Sequence, residues 1–390
     1  MTLSSHNPGL RFTRLTTAEQ LDALGAEWER LLERSPDANT FLSPAWLLTW
    51  WRAYAPDARL HAIAARRAAE LVGLAPMMSV RERCHGVPLE CLRFLGDGTF
   101  ESDHQGFVTV AEDARQVQHA LLEQLQQLPW HKAVLANVPE SSLLAATIRD
   151  WCAQNRYLVE ETSMPCPRRR VPESYDALLA SLPSRFRTAI RSTRRKLQAA
   201  HSVEFGLHDD PAEFDAALQA LFDNHESRWR AKGQGGVFRS PRRREFYRML
   251  TRRLHDEGAL RFFYLKLDGR IVAQEYCFAH GRTVYLLQEG FDFALAASNV
   301  GNALRSHVFE HLIDHGYDAY DFLAGTSRHK RNWSNDEPAD ITFRIARRSL
   351  RGRWAHFAPL LVARGKETLR PLRDRLRGAA PADDRVESSP

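Results

Sequence analysis

Along the first 165 residues the spacing of apolar positions changes several times. LRFTRL alternates and reads as a strand from Leu10, whereas TAEQLDALGAEWERLLERS and SPAWLLTWWRAY carry the three-to-four spacing of helices. The strand-like runs RLHAIAARR, ELVGLAPMMSV, PLECLRFLG and HQGFVTV follow, the last two separated by the turn Gly96-Asp97-Gly98. A helix over 111–128, the strand HKAVLANV, a helix over 141–154 and the strand RYLVEE complete the part. The proline-rich MPCPRRRVPES marks its end.

The second part repeats the order. Helices are predicted over 174–200 with an interruption at Pro183, over 211–232 and over 241–255. The strands RFFYLKL, RIVAQEYCFA and TVYLLQEGF are separated by Asp268-Gly269 and His280-Gly281, the pattern of an antiparallel meander. A helix over 299–315 follows, with Val300, Leu304, Val308 and Leu312 four apart and Gly316 placed to stop it. YDAYDFL and DITFRIA read as further strands. The pattern predicts a mixed α/β (α+β) protein of two tandem domains, 1–165 and 166–348, each a central mixed sheet flanked by helices. A basic helical tail, 349–390, ends in the disordered-looking AAPADDRVESSP.

A length of 390 residues exceeds what a single core usually serves, and 44% hydrophobic with 26% charged residues is ordinary globular composition. The N-terminus lacks the apolar stretch of a secretory signal and no run approaches a membrane span, so a cytoplasmic location is expected. Five scattered cysteines without a C-x-x-C pair predict reduced thiols and no metal. The formal charge of +6 is clustered in SRFRTAIRSTRRKLQ, FRSPRRREFYR and RIARRSLRGRW. Such patches suit cofactor phosphates, a nucleic acid or an anionic membrane surface. Arg187, Arg191 and Arg195 lie four apart, as a solvated helix face or as a phosphate track. The tail, with Trp354, Phe357, Leu360 and Leu361 among arginines, suits either packing on a domain or peripheral contact with the inner membrane.

The most informative stretch runs from the end of the meander into a helix whose first turn holds Ser298, Asn299, Val300, Gly301 and Asn302. Backbone N–H groups there, with the helix dipole behind them, can hold phosphate, and Gly301 admits close approach. Simple capping and packing explain the same residues. His225 falls on the apolar stripe of Phe214, Leu218, Leu221, Phe222 and Trp229. It is either a hydrogen-bonded core residue or a base, with Arg228 one turn away to bind a carboxylate or phosphate. Glu275 interrupts the apolar run IVAQEYCFA and Glu289 stands near the end of the next strand. Each is a candidate carboxylate for proton transfer; otherwise Glu275 pairs with one of the many arginines and Glu289 stands at a sheet edge. The first domain's GDGTFESDHQG continues into a strand instead of a helix, so no donor site is expected there. Asp103 and His104 face a cleft between domains or belong to a simple loop.

Meander, glycine-bearing helix start and following strand form the order of the acyl-CoA-dependent acetyltransferases usually called GNAT. The chain resembles the GNAT-like group associated with bacterial cellulose and exopolysaccharide synthesis, itself similar to the Fem-type peptidoglycan amino-acid transferases. FLSPAWLLTWW, LRFLGDG, SRFRTAIRSTRRKL, HESRW, GRIVAQEYCF, EGFD, SNVGNAL and YDFLAGTSRHKRNW carry the resemblance, from Phe41 to Trp333. Val300 stands where that group usually has proline and His329 where it has tyrosine, and the full Q/R-x-x-G-x-G/A loop is absent. The resemblance implies transfer of an acyl group from acyl-CoA, acetyl-CoA above all, to an amine or hydroxyl of a small-molecule or glycan acceptor. The alternatives are an aminoacyl-tRNA donor, or a catalytically silent partner of a polysaccharide assembly system. It also implies catalytic roles among Glu275, Asp321, Lys330 and His225. Substrate contacts are expected from Arg228, Trp229, Tyr285 and Trp333, and donor contacts from the Ser298 to Asn302 turn.

Overall fold

The computed structural model describes residues 2–3, 9–55, 58–231, 233, 235–325, 327–359 and 361. Three sheets organise them. An antiparallel sheet joins Thr2–Leu3, Leu10–Leu15, Ala62–Arg67, Glu70–Ala75 and Val108–Thr109 in that order. A second, mixed sheet runs Leu158–Pro165, Ala339–Ala346, Lys132–Pro139, Val87–Phe94, Met77–Cys84, Arg59–Leu60. The third, also mixed, runs Arg168–Arg170, Ala319–Asp321, Thr283–Phe291, Arg270–His280, Leu260–Leu267, Val203–Leu207. The expected fold class, mixed sheets flanked by helices, is the observed one.

Two predicted strands are each divided between the first two sheets. ELVGLAPMMSV breaks at Pro76, which has no N–H for the ladder, and RLHAIAARR breaks at His61. The meander follows prediction. Asp268 and Gly269 both have positive φ (51° and 80°), the backbone that matches a two-residue hairpin to strand twist. Helices start where capping side chains stand: the Ser43, Ser142 and Ser174 side chains accept from backbone N–H groups of the first turn. The short strand Val203–Leu207 and the helix Arg328–Trp333 were not expected.

The boundary expected at 165/166 is crossed in two ways. Ala339–Ala346 leaves the second half and inserts between Leu158–Pro165 and Lys132–Pro139, pairing antiparallel with both. One core also spans both halves. Trp46, Phe41 and Leu144 share it with Leu218, Phe222, Tyr247, Phe262, Tyr276 and Phe278. The opposite face of the third sheet, with Phe263, Leu265 and Cys277, packs on Val300, Leu304, Val308 and Leu312. That sheet is therefore buried on both faces, which explains the near-continuous apolar reading of its strands. No helix among the described residues is long and apolar enough to cross a membrane. Of the predicted tail, 349–359 and 361 are described, with a helix over 350–359. The Trp354 indole donates to the Cys84 carbonyl (2.9 Å), and Trp354 and Phe357 stay about half exposed. The remainder of the tail lies outside the described residues.

Candidate active site

The third sheet opens at one point. Thr283–Phe291 and Ala319–Asp321 run parallel, paired from Thr283↔Ala319 to Tyr285↔Asp321, and pairing stops there. On its other side the longer strand slips register: Tyr276 faces Gln288 and Cys277 faces Leu286, so Leu287 is an extra residue with no partner in either neighbour. Such a bulge bends a strand and re-aims its backbone. Between the diverging ends lies a cavity of about 290 Å³. Leu286 to Glu289 and Phe322 to Ala324 form two of its walls, and His225, Arg228 and Trp229 a third. Phe100, Glu101 and Asp103 of the first half, with His329 and Lys330, complete it.

Several expected residues meet here. His225 is buried, and its Nε2 accepts from the Trp229 indole (2.9 Å). Burial pushes its pKa down to about 4, so the ring is neutral at pH 7, with its remaining proton on Nδ1. Its lone pair is engaged, which corrects the expectation of a base: His225 can donate, not accept. Arg228 lies over the Phe291 ring (5.3 Å) and 3.6 Å from Glu289. Lys330 Nζ donates to the carbonyls of Leu323 (3.2 Å) and Ala324 (2.7 Å), so it clamps the turn and makes no ion pair with Asp321. Burial lowers its pKa.

Glu275 is structural. It is buried and receives Arg305 Nε (2.8 Å) and the Tyr320 hydroxyl (2.6 Å). Arg305, fully buried, also reaches Glu289 (2.8 Å) and His329 (2.7 Å). Burial would raise the Glu289 pKa, but His329, Arg305 and Arg228 hold it well below the usual value. Glu289 is thus an ionised wall of the cavity. Tyr285 packs among Phe41, Phe278 and His104, and Trp333 is fully buried between Phe309 and Phe186 with its indole on Asn302 Oδ1 (3.2 Å). Neither reaches the cavity. Both were expected as substrate contacts, and both are held in place by ring packing.

Asp321 is buried and is not among the residues that line the cavity. It accepts from the Leu323 N–H (2.7 Å) and stands 3.4 Å from His104 Nε2. His104 Nδ1 meets Asp340 Oδ1 at 2.9 Å. Burial alone would lower the His104 pKa, but Asp321 and Asp340 outweigh it and raise it well above the usual value. Asp103, the other half of the expected pair, accepts from Ala324 N–H (3.0 Å) and Asn137 Nδ2 (3.0 Å). This buried polar seam joins the halves, so both residues belong to the interface. Donor atoms of His104, Cys166 and Asp340 lie within 4.8 Å of one another, with the His104–Asp340 pair already hydrogen-bonded.

Glu101 was missed by sequence reasoning. It is 2% exposed, receives the Tyr247 hydroxyl (3.0 Å) and pairs with Arg243. Burial pushes its pKa up to about 7 against the opposing effect of Arg243. A carboxyl that borders a cavity and titrates at working pH is suited to proton transfer. Backbone strain gathers around the same place: Phe100, His104, Asn137 and Leu323 all have φ between 47° and 61°.

The expected donor turn lies outside this cavity. Asn299 is left-handed (φ 51°) and caps the helix Val300–Asp314 without a side-chain bond, while Val300 is buried in the second core. Ser298 and Asn299 line a separate cleft of about 450 Å³ with Ser192, Thr193, Lys196 and His201. Gly301 has space: a Cβ there would meet only Phe291, at 3.7 Å. Phe291 is therefore shared by the turn and by Arg228 at the cavity.

Residues 184–331, which hold most of this geometry, match the family model described as acetyltransferase (GNAT) domain. No curated protein sequence matches the chain. Among solved structures it is similar to FemX at 12% identity and TM-score 0.59, with 85% of this chain and 96% of that one covered. A conserved protein of unknown function from Bacteroides thetaiotaomicron VPI-5482 superposes at 14% identity and TM-score 0.53, covering 86% and 99%. L-PGS from Bacillus licheniformis gives 13% and 0.52, covering 87% and 95%. At these identities the likeness is one of fold.

Proposed function

We propose that the chain is an acyltransferase that moves an acyl group from an acyl-CoA, acetyl-CoA in the first instance, to an amine or hydroxyl of a small-molecule or glycan acceptor. The observation that carries this is the opened strand pair, whose diverging ends and bulge at Leu287 border a cavity between the two halves. The donor belongs to the second half alone. Its phosphates suit the Ser298 to Asn302 turn, where an uncapped helix start, Lys196 and the open approach to Gly301 favour an anion. The donor supplies a thioester carbon open to attack.

The chain's residues do the rest. A neutral nitrogen or hydroxyl oxygen attacks the thioester carbon, the C–S bond breaks, and the acceptor's proton goes to Glu101, which is about half ionised at pH 7. The thiolate takes a proton from solvent. Backbone N–H groups of the bulged strand around Leu287 polarise the carbonyl. Glu275, Asp321 and Lys330 hold this arrangement from behind. The setting implied by the sequence resemblance, exopolysaccharide or cell-envelope synthesis in the cytoplasm, is part of the same proposal.

Native mass spectrometry with acetyl-CoA and with an aminoacyl-tRNA tests it. A one-to-one complex with acetyl-CoA, together with amine- or hydroxyl-dependent thiol release, is expected. Binding of the aminoacyl-tRNA alone would replace the donor by that of the alternative, and binding of neither would favour a catalytically silent partner.

A further inference from the structure

Phe100 is held in a way that its own chemistry opposes. Its ring is 99% exposed at the mouth of the cavity, and its backbone is left-handed at φ 61°, a conformation that a bulky residue rarely adopts. Both neighbours are pinned. Thr99 Oγ1 accepts from the Trp50 indole (2.8 Å) and its carbonyl from Arg243, while Glu101 is fixed by Tyr247 and Arg243. Strain of this kind persists only where surrounding bonds over-determine it, and it gathers at ligand contacts. Bonds on each side thus hold an apolar ring in water beside the buried Glu101.

The cavity says what that ring is for. Leu286, Leu287, Phe322 and Leu323 give it apolar walls, and Trp229 lines it with an indole tied to His225. All three acids of the cavity wall are partnered: Asp103 by Ala324 and Asn137, Glu289 by Arg305 and His329, and Glu101 by Tyr247 and Arg243. Glu101 is the acid adjoining Phe100 in the chain. We infer that Phe100 selects the acceptor: with Trp229 it clasps the apolar body of a primary amine whose nitrogen reaches Glu101. This rests on the cavity being the acceptor side of an acyl transfer, and it narrows the acceptor to amphipathic amines.

The test uses the full chain, acetyl-CoA as donor, and propylamine, hexylamine and phenethylamine as acceptors, with thiol release as readout. Phenethylamine binding without donor is followed by calorimetry. The wild type is expected to prefer phenethylamine over propylamine in kcat/KM by about 10-fold or more, the range a well-fitted apolar contact provides. Phe100→Ala should reduce that preference to about 3-fold or less, through KM rather than kcat, and Phe100→Trp should retain it. The ring is exposed, so its truncation leaves the core intact. An undiminished preference in Phe100→Ala overturns the inference, as does a wild type that binds phenethylamine no better than propylamine. Tight phenethylamine binding that weakens in Phe100→Ala, with no thiol release from any amine, would keep the selector and remove the acyl-transfer reading.

Discussion

The two halves contain the same parallel strand pair in two conditions. In the first half, Val87–Phe94 pairs with Lys132–Pro139 from Cys91↔Lys132 to Arg93↔Val134, with the helix Ala114–Gln126 between them in sequence. There the chain closes its own gap. Gln105 N–H donates to the Asn137 carbonyl (2.8 Å), Gln105 Nε2 reaches the Ala136 carbonyl (3.4 Å), and Asn137 Nδ2 binds the Ser102 carbonyl (2.9 Å). In the second half the corresponding gap is the cavity. The helix starts differ too. Glu112 and the N-cap Asp113 precede Ala114–Gln126, with Asp113 paired to Arg67, whereas Ala297, Ser298 and the N-cap Asn299 precede Val300–Asp314 without an acid. A carboxylate beside a helix start repels a phosphate from it. The loop that closes the first gap also lends Phe100, Glu101 and Asp103 to the second, so one half has become part of the other's site.

The largest effect expected from breaking this arrangement is at the lent carboxylate. Glu101→Gln should lower turnover about 10²–10⁴-fold. Because the acid form is inactive as a base, wild-type turnover should rise as pH climbs through about 7, and the variant should lose that limb. A rate-pH profile that keeps its limb in Glu101→Gln would assign the base elsewhere. Next is the support behind the cavity. Arg305→Met leaves Glu275 and Glu289 without their buried cation and should cost about 3–5 kcal/mol in denaturant unfolding. Arg149→Met, which removes the half-exposed pair with Glu161, should cost less than about 1 kcal/mol. Equal losses would show that the Arg305 cluster is no more essential than a surface pair.

A smaller effect belongs to the seam. The His104 pKa is raised in the folded state, so the stability it supplies is fully present below about 6.5 and is lost as pH rises through its folded value. His104→Asn should flatten that alkaline decline in thermal unfolding, with a loss of about 1–3 kcal/mol at neutral pH. An unchanged pH dependence would remove His104 as its source. The smallest change is Gly301→Ala: its Cβ meets only Phe291, so the helix should gain about 1 kcal/mol, while the added methyl narrows the approach to the turn and should weaken acetyl-CoA binding about 10-fold. Unaltered affinity would move the donor away from Gly301.

Much of the second half was legible because its signals are periodic or local. The Asp268-Gly269 turn, the Val300 to Leu312 stripe and the Gly316 stop (φ 68°) all appear as expected. The histidine on the apolar stripe was recognisable, but its role depends on which ring nitrogen the Trp229 indole takes, a tertiary fact. Glu101 and Phe100 sit in a short loop without periodicity, and only the packing of Arg243 and Tyr247, far along the chain, gives them meaning. Arg305 did carry a signal, a charge beside Leu304 on a helix buried on that face. Ala339–Ala346 was legible as a strand, but sequence order hid its sheet, since strand pairing is set by the whole core.

The contrast between the two halves is tested most directly by calorimetric titration of acetyl-CoA into the wild type, Ser192→Trp and the double variant Glu112→Gln/Asp113→Asn. Ser192 lines the cleft of the Ser298 to Asn302 turn, and a tryptophan there would fill it. One site is expected in the wild type, lost in Ser192→Trp and unmoved in the double variant. Binding that survives Ser192→Trp, or a second site gained by the double variant, would contradict the assignment of the donor to the second half.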